Sequence, residues 1–207
     1  MIVAVAERGS AWQEAQAAER GYWYPGGCSE LAARRRIERE TQGWYAGLLR
    51  LADAQPTSIL EIGAGPQGLL TRYGAGARKV AVEPLALTFA DVDGYARAGA
   101  TLCQMPIERW HALNRGEHFQ EVWMTNVLQH VIHPGLVLWI AAAHALERIR
   151  IFEWVDEPVS IVHLHSLRSA EIDEGLHPFR AVHRTEGIDE SASHRQAFVA
   201  GVYERSA

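Results

Sequence analysis

The chain has 207 residues, 48% of them hydrophobic, 22% charged and 9% aromatic. That is enough apolar material for one sizeable core with a small appendage, and it excludes a disordered tail, a coiled coil and a disulfide-stapled miniprotein. The formal net charge of -5 disfavours unassisted wrapping of a phosphate backbone, so nucleic acid is not the expected partner.

Cys28 and Cys103 are too few for a disulfide framework and lack the paired spacing of a zinc site, which fits a reducing cytoplasm. Met1 to Ala6 runs into Glu7 and Arg8 without the basic flank and longer apolar stretch of a secretion signal. The longest apolar run, residues 136–143, is far shorter than the roughly 20 residues that cross a bilayer. A cytoplasmic protein without a membrane anchor is expected.

Residues 1–55 read as a helical segment. Ser10 and Gln13 have capping-box spacing, which predicts a helix from Ser10 to about Gly21. The aromatic run Tyr22-Trp23-Tyr24 then enters the turn residues Pro25-Gly26-Gly27, and a second helix is expected over residues 29–52. In it, Glu38 and Glu40 follow Arg34 and Arg36 by four residues, the spacing of a solvated, internally paired face.

From residue 56 onward the pattern is strand, turn, helix. Short apolar strands are predicted at 57–62, 78–83, 100–104, 121–125 and 148–155, with the clearest helix at 135–148. Strands that are apolar almost throughout and alternate with helices imply a parallel sheet covered on both faces. Residues 179–186 and 196–205 lack an intervening helix and should pair antiparallel.

In such sheets ligands bind beyond the carboxyl ends of the strands. After the first strand comes Glu61-Ile62-Gly63-Ala64-Gly65-Pro66-Gln67-Gly68, whose glycines permit a tight turn and close ligand approach. Gly63, Gly65 and Gly68 also fit a dinucleotide fingerprint, with Glu83 twenty residues after Gly63 as the ribose acceptor. Glu61 distinguishes the two readings: a carboxylate beside a pyrophosphate repels it, whereas a cationic ligand is attracted.

The sequence from about Thr57 onward resembles the class I S-adenosylmethionine-dependent methyltransferases. Their first motif is similar to Glu61-Ile62-Gly63-Ala64-Gly65, their ribose-binding acid to Glu83, and their adenine-lining segment to Met105-Pro106-Ile107-Glu108. Their segment at strand four is similar to Phe119-Gln120 and Asn126-Val127-Leu128-Gln129-His130. Gln120 and Gln129 stand where that family commonly has acids, departures expected to bear on substrate chemistry.

The resemblance implies an α/β, Rossmann-like, doubly wound seven-stranded sheet with the last strand antiparallel, preceded by the helical segment 1–55 as a possible lid on the domain 56–207. It implies S-adenosylmethionine as cofactor, held by Glu61, Gly63, Ala64, Gly65, Glu83, Pro84, Ile107, Glu108, Asn126 and Val127. It also implies methyl transfer to oxygen or nitrogen of a small molecule, such as a sugar or metabolite. The sulfonium methyl is already activated, so catalysis is chiefly alignment, with a base where the nucleophile must lose a proton.

His130 is the candidate base. His163 and His165 alternate with Val162 and Leu164 and are further candidates, expected to form a polar pocket wall; two histidines without a carboxylate are an incomplete metal site, and no metal is expected. His133, before Pro134, reads as a turn residue. Tyr22, Trp23 and Tyr24 are candidate substrate contacts, while Trp123, Trp139 and Trp154 read as packing. An NAD-dependent oxidoreductase and a noncatalytic cofactor-binding relative acting as a partner subunit are the competing functions.

Overall fold

The computed structural model describes residues 2–23, 41–86, 92–190 and 196–206, with side chains from Ser10 to Gly21 in the first segment. The seven strands are β1 (Ser58–Ile62), β2 (Arg78–Val82), β3 (Ala100–Cys103), β4 (Phe119–Thr125), β5 (Ala145–Val155), β6 (Phe179–Asp189) and β7 (Gln196–Arg205). They form one sheet in the order β3-β2-β1-β4-β5-β7-β6. The first five run parallel, whereas β7 is antiparallel to both β5 and β6.

Alternation along the strands gives the sheet two apolar faces. Leu60, Ile62, Val122, Met124, Ile149 and Ile151 pack on one side beneath the helix Pro134–His144. Ile59, Ala81, Trp123 and Phe152 pack on the other against Tyr45, Leu49 and Tyr95. The chain reverses its direction of travel across the sheet between β1 and β4, which opens a crevice beyond their carboxyl ends.

Two local expectations are corrected. The amino-terminal helix spans Ile2–Trp23, so Ser10 is an interior residue and not its cap. Ala4 and Ala6 carry helix propensity upstream of the apparent signal. The helix predicted to reach residue 148 ends at His144, and Ala145 already belongs to β5. Arg205 explains that end: its guanidinium donates to the carbonyls of Ala142 (3.1 Å) and Ala145 (2.6 Å), supplying donors that the terminating turn lacks. Of the second predicted helix, residues 41–48 are helical; Arg34, Arg35, Arg36, Glu38 and Glu40 lie outside the described residues.

Arg150 fastens this amino-terminal part to the sheet. Its guanidinium makes a bidentate pair with Glu121 at 2.7 and 2.9 Å and donates to the Leu49 carbonyl at 2.7 Å. Burial alone would raise the Glu121 carboxyl, but the hydrogen bonds from Arg150 and Trp123 outweigh it and hold the group below the ordinary carboxylate range. Removing one partner of a buried pair strands the other. Arg150→Met is therefore expected to lose about 3 kcal/mol of stability in urea unfolding, with part of it recovered by the double substitution with Glu121→Leu. Among the described residues no helix is long and apolar enough to cross a membrane.

Candidate functional site

A cavity of about 870 Å³ lies over the carboxyl ends of the parallel strands. Its volume is near the upper part of the range, about 300–1,000 Å³, for sites that bury a small ligand. Gly63, Ala64 and Gly65 border it after β1, Glu83 and Pro84 after β2, Ile107 and Glu108 after β3, and Asn126 and Val127 after β4. Nine of the ten cofactor positions expected from sequence thus share one cavity.

The first loop shows why the glycines are needed. Gly63 has φ +65°, and a Cβ there would stand 2.3 Å from Val127 Cγ2, so the loops after β1 and β4 meet across it. Gly65 has φ +62°, and nothing lies within 4 Å of the place a Cβ would take. The backbone therefore faces open cavity at the point where the chain turns. Gly68 serves packing instead, since a Cβ would collide with Glu61 Oε2 and the Tyr95 hydroxyl.

Glu61, the tenth position, does not line the cavity. It is 1% exposed, and its carboxyl group accepts the N–H groups of Leu69 (2.7 Å) and Leu70 (2.9 Å) behind the glycines. The expectation that it faces a ligand is corrected by that geometry: short 3-10 turns at Gly65–Gln67 and Leu69–Thr71 follow β1, and Glu61 occupies the donors of the second.

Glu83 is 6% exposed and borders the cavity. Oε2 accepts the Gly65 N–H at 3.0 Å and Oε1 the Leu85 N–H at 2.9 Å. Burial, together with the negative charge of Glu19 from the first helix, pushes its carboxyl up to about 7 despite those two donors. Glu19 belongs to a helical face with Trp12 and Gln16 that also borders the cavity.

The β4 and β5 side is walled by Val131, Ile132, Val162 and Trp154, with Tyr45 from the helix at 41–48. His130 lies here with Nδ1 2.9 Å from the Val162 carbonyl. Because a carbonyl only accepts, Nδ1 carries the proton and neutral His130 keeps its lone pair on Nε2. Burial lowers its pKa from the ordinary 6.5, only partly offset by the Val162 hydrogen bond. The His163 ring stands edge-on at 5.1 Å and also borders the cavity. Burial and the neighbouring His130 lower the His163 pKa as well.

His165 does not join them: its Nε2 lies 2.9 and 3.1 Å from the carbonyls of Val131 and Ile132, and the residue is outside the cavity lining. Among the described residues no group of three His, Cys, Asp or Glu is arranged to hold a metal. Tyr24 lies outside the described residues, and of Tyr22 and Trp23 only the helical backbone is described.

Four residues depart from the sequence reading. Gln120 sits at the amino end of β4, where Oε1 accepts from Thr57 N–H at 2.6 Å, too far along the strand to touch a substrate. Gln129 is wholly buried behind the loop rather than in the cavity. Trp154, expected to be packing alone, borders the cavity while stacking on Trp44. Glu153 was overlooked. It is 0% exposed, accepts from Val127 and Leu128, and burial pushes its carboxyl up to about 8 against those donors.

The raised Glu153 value has a stability consequence. Below about pH 4.5 both folded and unfolded chains hold the proton; between there and about 8 only the folded chain does. Stability should therefore fall with rising pH across that window, at a slope approaching 1.4 kcal/mol per pH unit, and level off above it. Urea unfolding as a function of pH measures the slope; Glu153→Gln should remove its share and leave that of Glu83, whose carboxyl is raised to about 7.

No protein-family model and no curated relative matches the chain. Solved structures do. Magnesium protoporphyrin IX methyltransferase from Synechocystis PCC 6803, with bound S-adenosylhomocysteine, superposes with a TM-score of 0.63 at 14% identity, covering 92% of this chain and 94% of that one. The 1,6-didemethyltoxoflavin-N1-methyltransferase of Burkholderia thailandensis gives 0.60 at 19% identity, covering 88% and 92%. N-methyltransferase NodS from Bradyrhizobium japonicum WM9 gives 0.60 at 13%, covering 82% and 88%. The chain has the fold of the class I S-adenosylmethionine-dependent methyltransferases.

Proposed function

We propose that this protein transfers a methyl group from S-adenosylmethionine to oxygen or nitrogen of a small molecule. The observation that carries the reading is the division of labour between two carboxyl groups. Glu61 is turned away from the cavity onto the N–H groups of Leu69 and Leu70, whereas Glu83 faces the cavity beside the open backbone of Gly65. That arrangement suits a nucleoside without a diphosphate. The similar folds carrying S-adenosylhomocysteine support it.

In this reading Glu83 accepts the ribose hydroxyls, Ile107 and Glu108 flank the adenine, and the open turn at Gly63 to Gly65 leaves room for the amino-acid portion, with Asn126 and Val127 closing the far side. Bound S-adenosylmethionine supplies a methyl group already activated on a sulfonium. The chain's part is to hold an acceptor in line, exclude water and take a proton. His130 Nε2 takes that proton from the acceptor, with Tyr45, Trp154, Val131, Ile132 and Val162 enclosing the acceptor's body. His163 is a polar wall beside it. The first helix, through Trp12, Gln16 and Glu19, is the cover of the site.

Calorimetry of the purified protein with S-adenosylhomocysteine and NAD in parallel tests the reading. S-adenosylhomocysteine should bind and NAD should not; binding of NAD alone overturns it. A product screen with labelled methyl donor then separates an enzyme from a noncatalytic relative.

A further inference from the structure

We infer that Glu153 is a positioning residue, setting both the turn at Asn126 and Val127 and the imidazole of His130 from behind the cavity. Its consequence for catalysis rests on the methyltransferase reading; its structural part does not. Glu153 lies in β5 between Phe152 and Trp154, wholly buried. A carboxyl group in such surroundings is costly unless its oxygens are satisfied. Both oxygens here face the same two donors: Val127 N–H at 2.9 and 3.2 Å, and Leu128 N–H at 3.2 Å to each.

Those two N–H groups open the single 3-10 turn Leu128–His130 and have no acceptor within it. The turn follows Asn126 in the left-handed region at φ +55°, a conformation that needs support from its surroundings. His130 N–H donates to the Val127 carbonyl at 2.9 Å, so a shift of the Val127 peptide moves His130 with it. Val127 is also the residue against which Gly63 closes.

A second strut runs through Gln129, whose Nε2 lies 3.3 Å from both Asn126 Oδ1 and the Trp154 carbonyl. Its own carbonyl accepts Leu164 N–H at 2.7 Å. That bond holds the segment whose Val162 carbonyl fixes the His130 tautomer. The carboxyl of Glu153 and the backbone of Gln129 thus determine where Nε2 points, although neither side chain borders the cavity.

Two substitutions separate positioning from bulk stability. Glu153→Gln keeps the shape but, above about pH 8 where Glu153 has given up its proton and accepts with both oxygens, sets amide hydrogens against one of two donors. Glu153→Asp keeps the carboxyl and withdraws it by one methylene. Each is studied well below its unfolding temperature by titration with S-adenosylhomocysteine and by NMR of the His130 ring nitrogens at mildly alkaline pH. The wild type should show the Nδ1–H tautomer alone, both variants a mixture, and both should lose about tenfold in affinity. A folded variant of either kind that keeps the wild-type tautomer and affinity, with only a lower unfolding temperature, overturns the inference. Failure of the wild type to bind S-adenosylhomocysteine would defeat the methyltransferase reading, while the tautomer comparison would still decide the role of Glu153.

Discussion

His130→Ala should lower kcat for methyl transfer by about 10²- to 10⁴-fold, the range for losing a positioned general base, while leaving the affinity for S-adenosylhomocysteine unchanged. The argument starts from a proton. Nδ1–H is committed to the Val162 carbonyl, so the lone pair is on Nε2. Burial keeps the imidazole unprotonated at neutral pH. A cation there would face the His163 ring at 5.1 Å inside a largely apolar wall, so Nε2 is a weaker base than a free imidazole and stands neutral, ready to accept, at neutral pH. At saturating S-adenosylmethionine, kcat should rise with pH through a midpoint below 6.5 and then stay flat, because the unprotonated form is the active one. His163→Ala should preserve that acid limb and lose less. Initial rates with the acceptor found by product screening, measured across pH, check both; an undiminished kcat in His130→Ala would show that the acceptor loses its proton elsewhere or has none to lose.

Strand positions were legible because a sheet buried on both faces demands apolar runs, and each of the five such runs became a strand, as did the two segments read as an antiparallel pair. The cavity followed from topology: a chain that reverses between β1 and β4 must leave its loops there. Side-chain roles were less accessible. Glu61 stands at the right place in the motif, but whether a strand-tip carboxyl turns toward ligand or toward loop N–H groups depends on the path of residues 65 to 71, and periodicity does not encode it. Arg205 ends a helix sixty residues upstream through a side-chain contact with no local signal. Glu153 sits in a run, Ile151 to Val155, that reads as an ordinary buried strand; an acid flanked by aromatics in such a strand was the available clue, since it requires donors from somewhere. Gln120 and Gln129 were weighed by analogy, and their placement at the opposite end of β4 and behind the loop removes them from substrate chemistry.

Glu83→Ala should weaken S-adenosylhomocysteine binding by about 10²- to 10³-fold. A hydrogen bond to a charged group contributes about 1.5–3 kcal/mol, and two ribose hydroxyls meeting one carboxylate give a loss of that order. Glu83→Gln retains one carbonyl acceptor and should lose much less. The contrast matters because Glu83 also holds Gly65 N–H and Leu85 N–H, so Ala removes a support of the loop as well as a ligand contact. Charge gives an independent check. The Glu83 carboxyl is pushed up to about 7 by burial and by Glu19, and hydroxyl donors bind the ionised form more strongly. Affinity should therefore climb as pH rises through about 7, and the climb should vanish in Glu83→Gln. Glu19→Gln relieves part of the repulsion and should move the wild-type midpoint lower. Calorimetric titrations at several pH values measure all four proteins. Undiminished, pH-independent binding to Glu83→Ala would place the ribose away from the tip of β2, and the assignment of the Gly63 to Gly65 turn to the same ligand would fall with it.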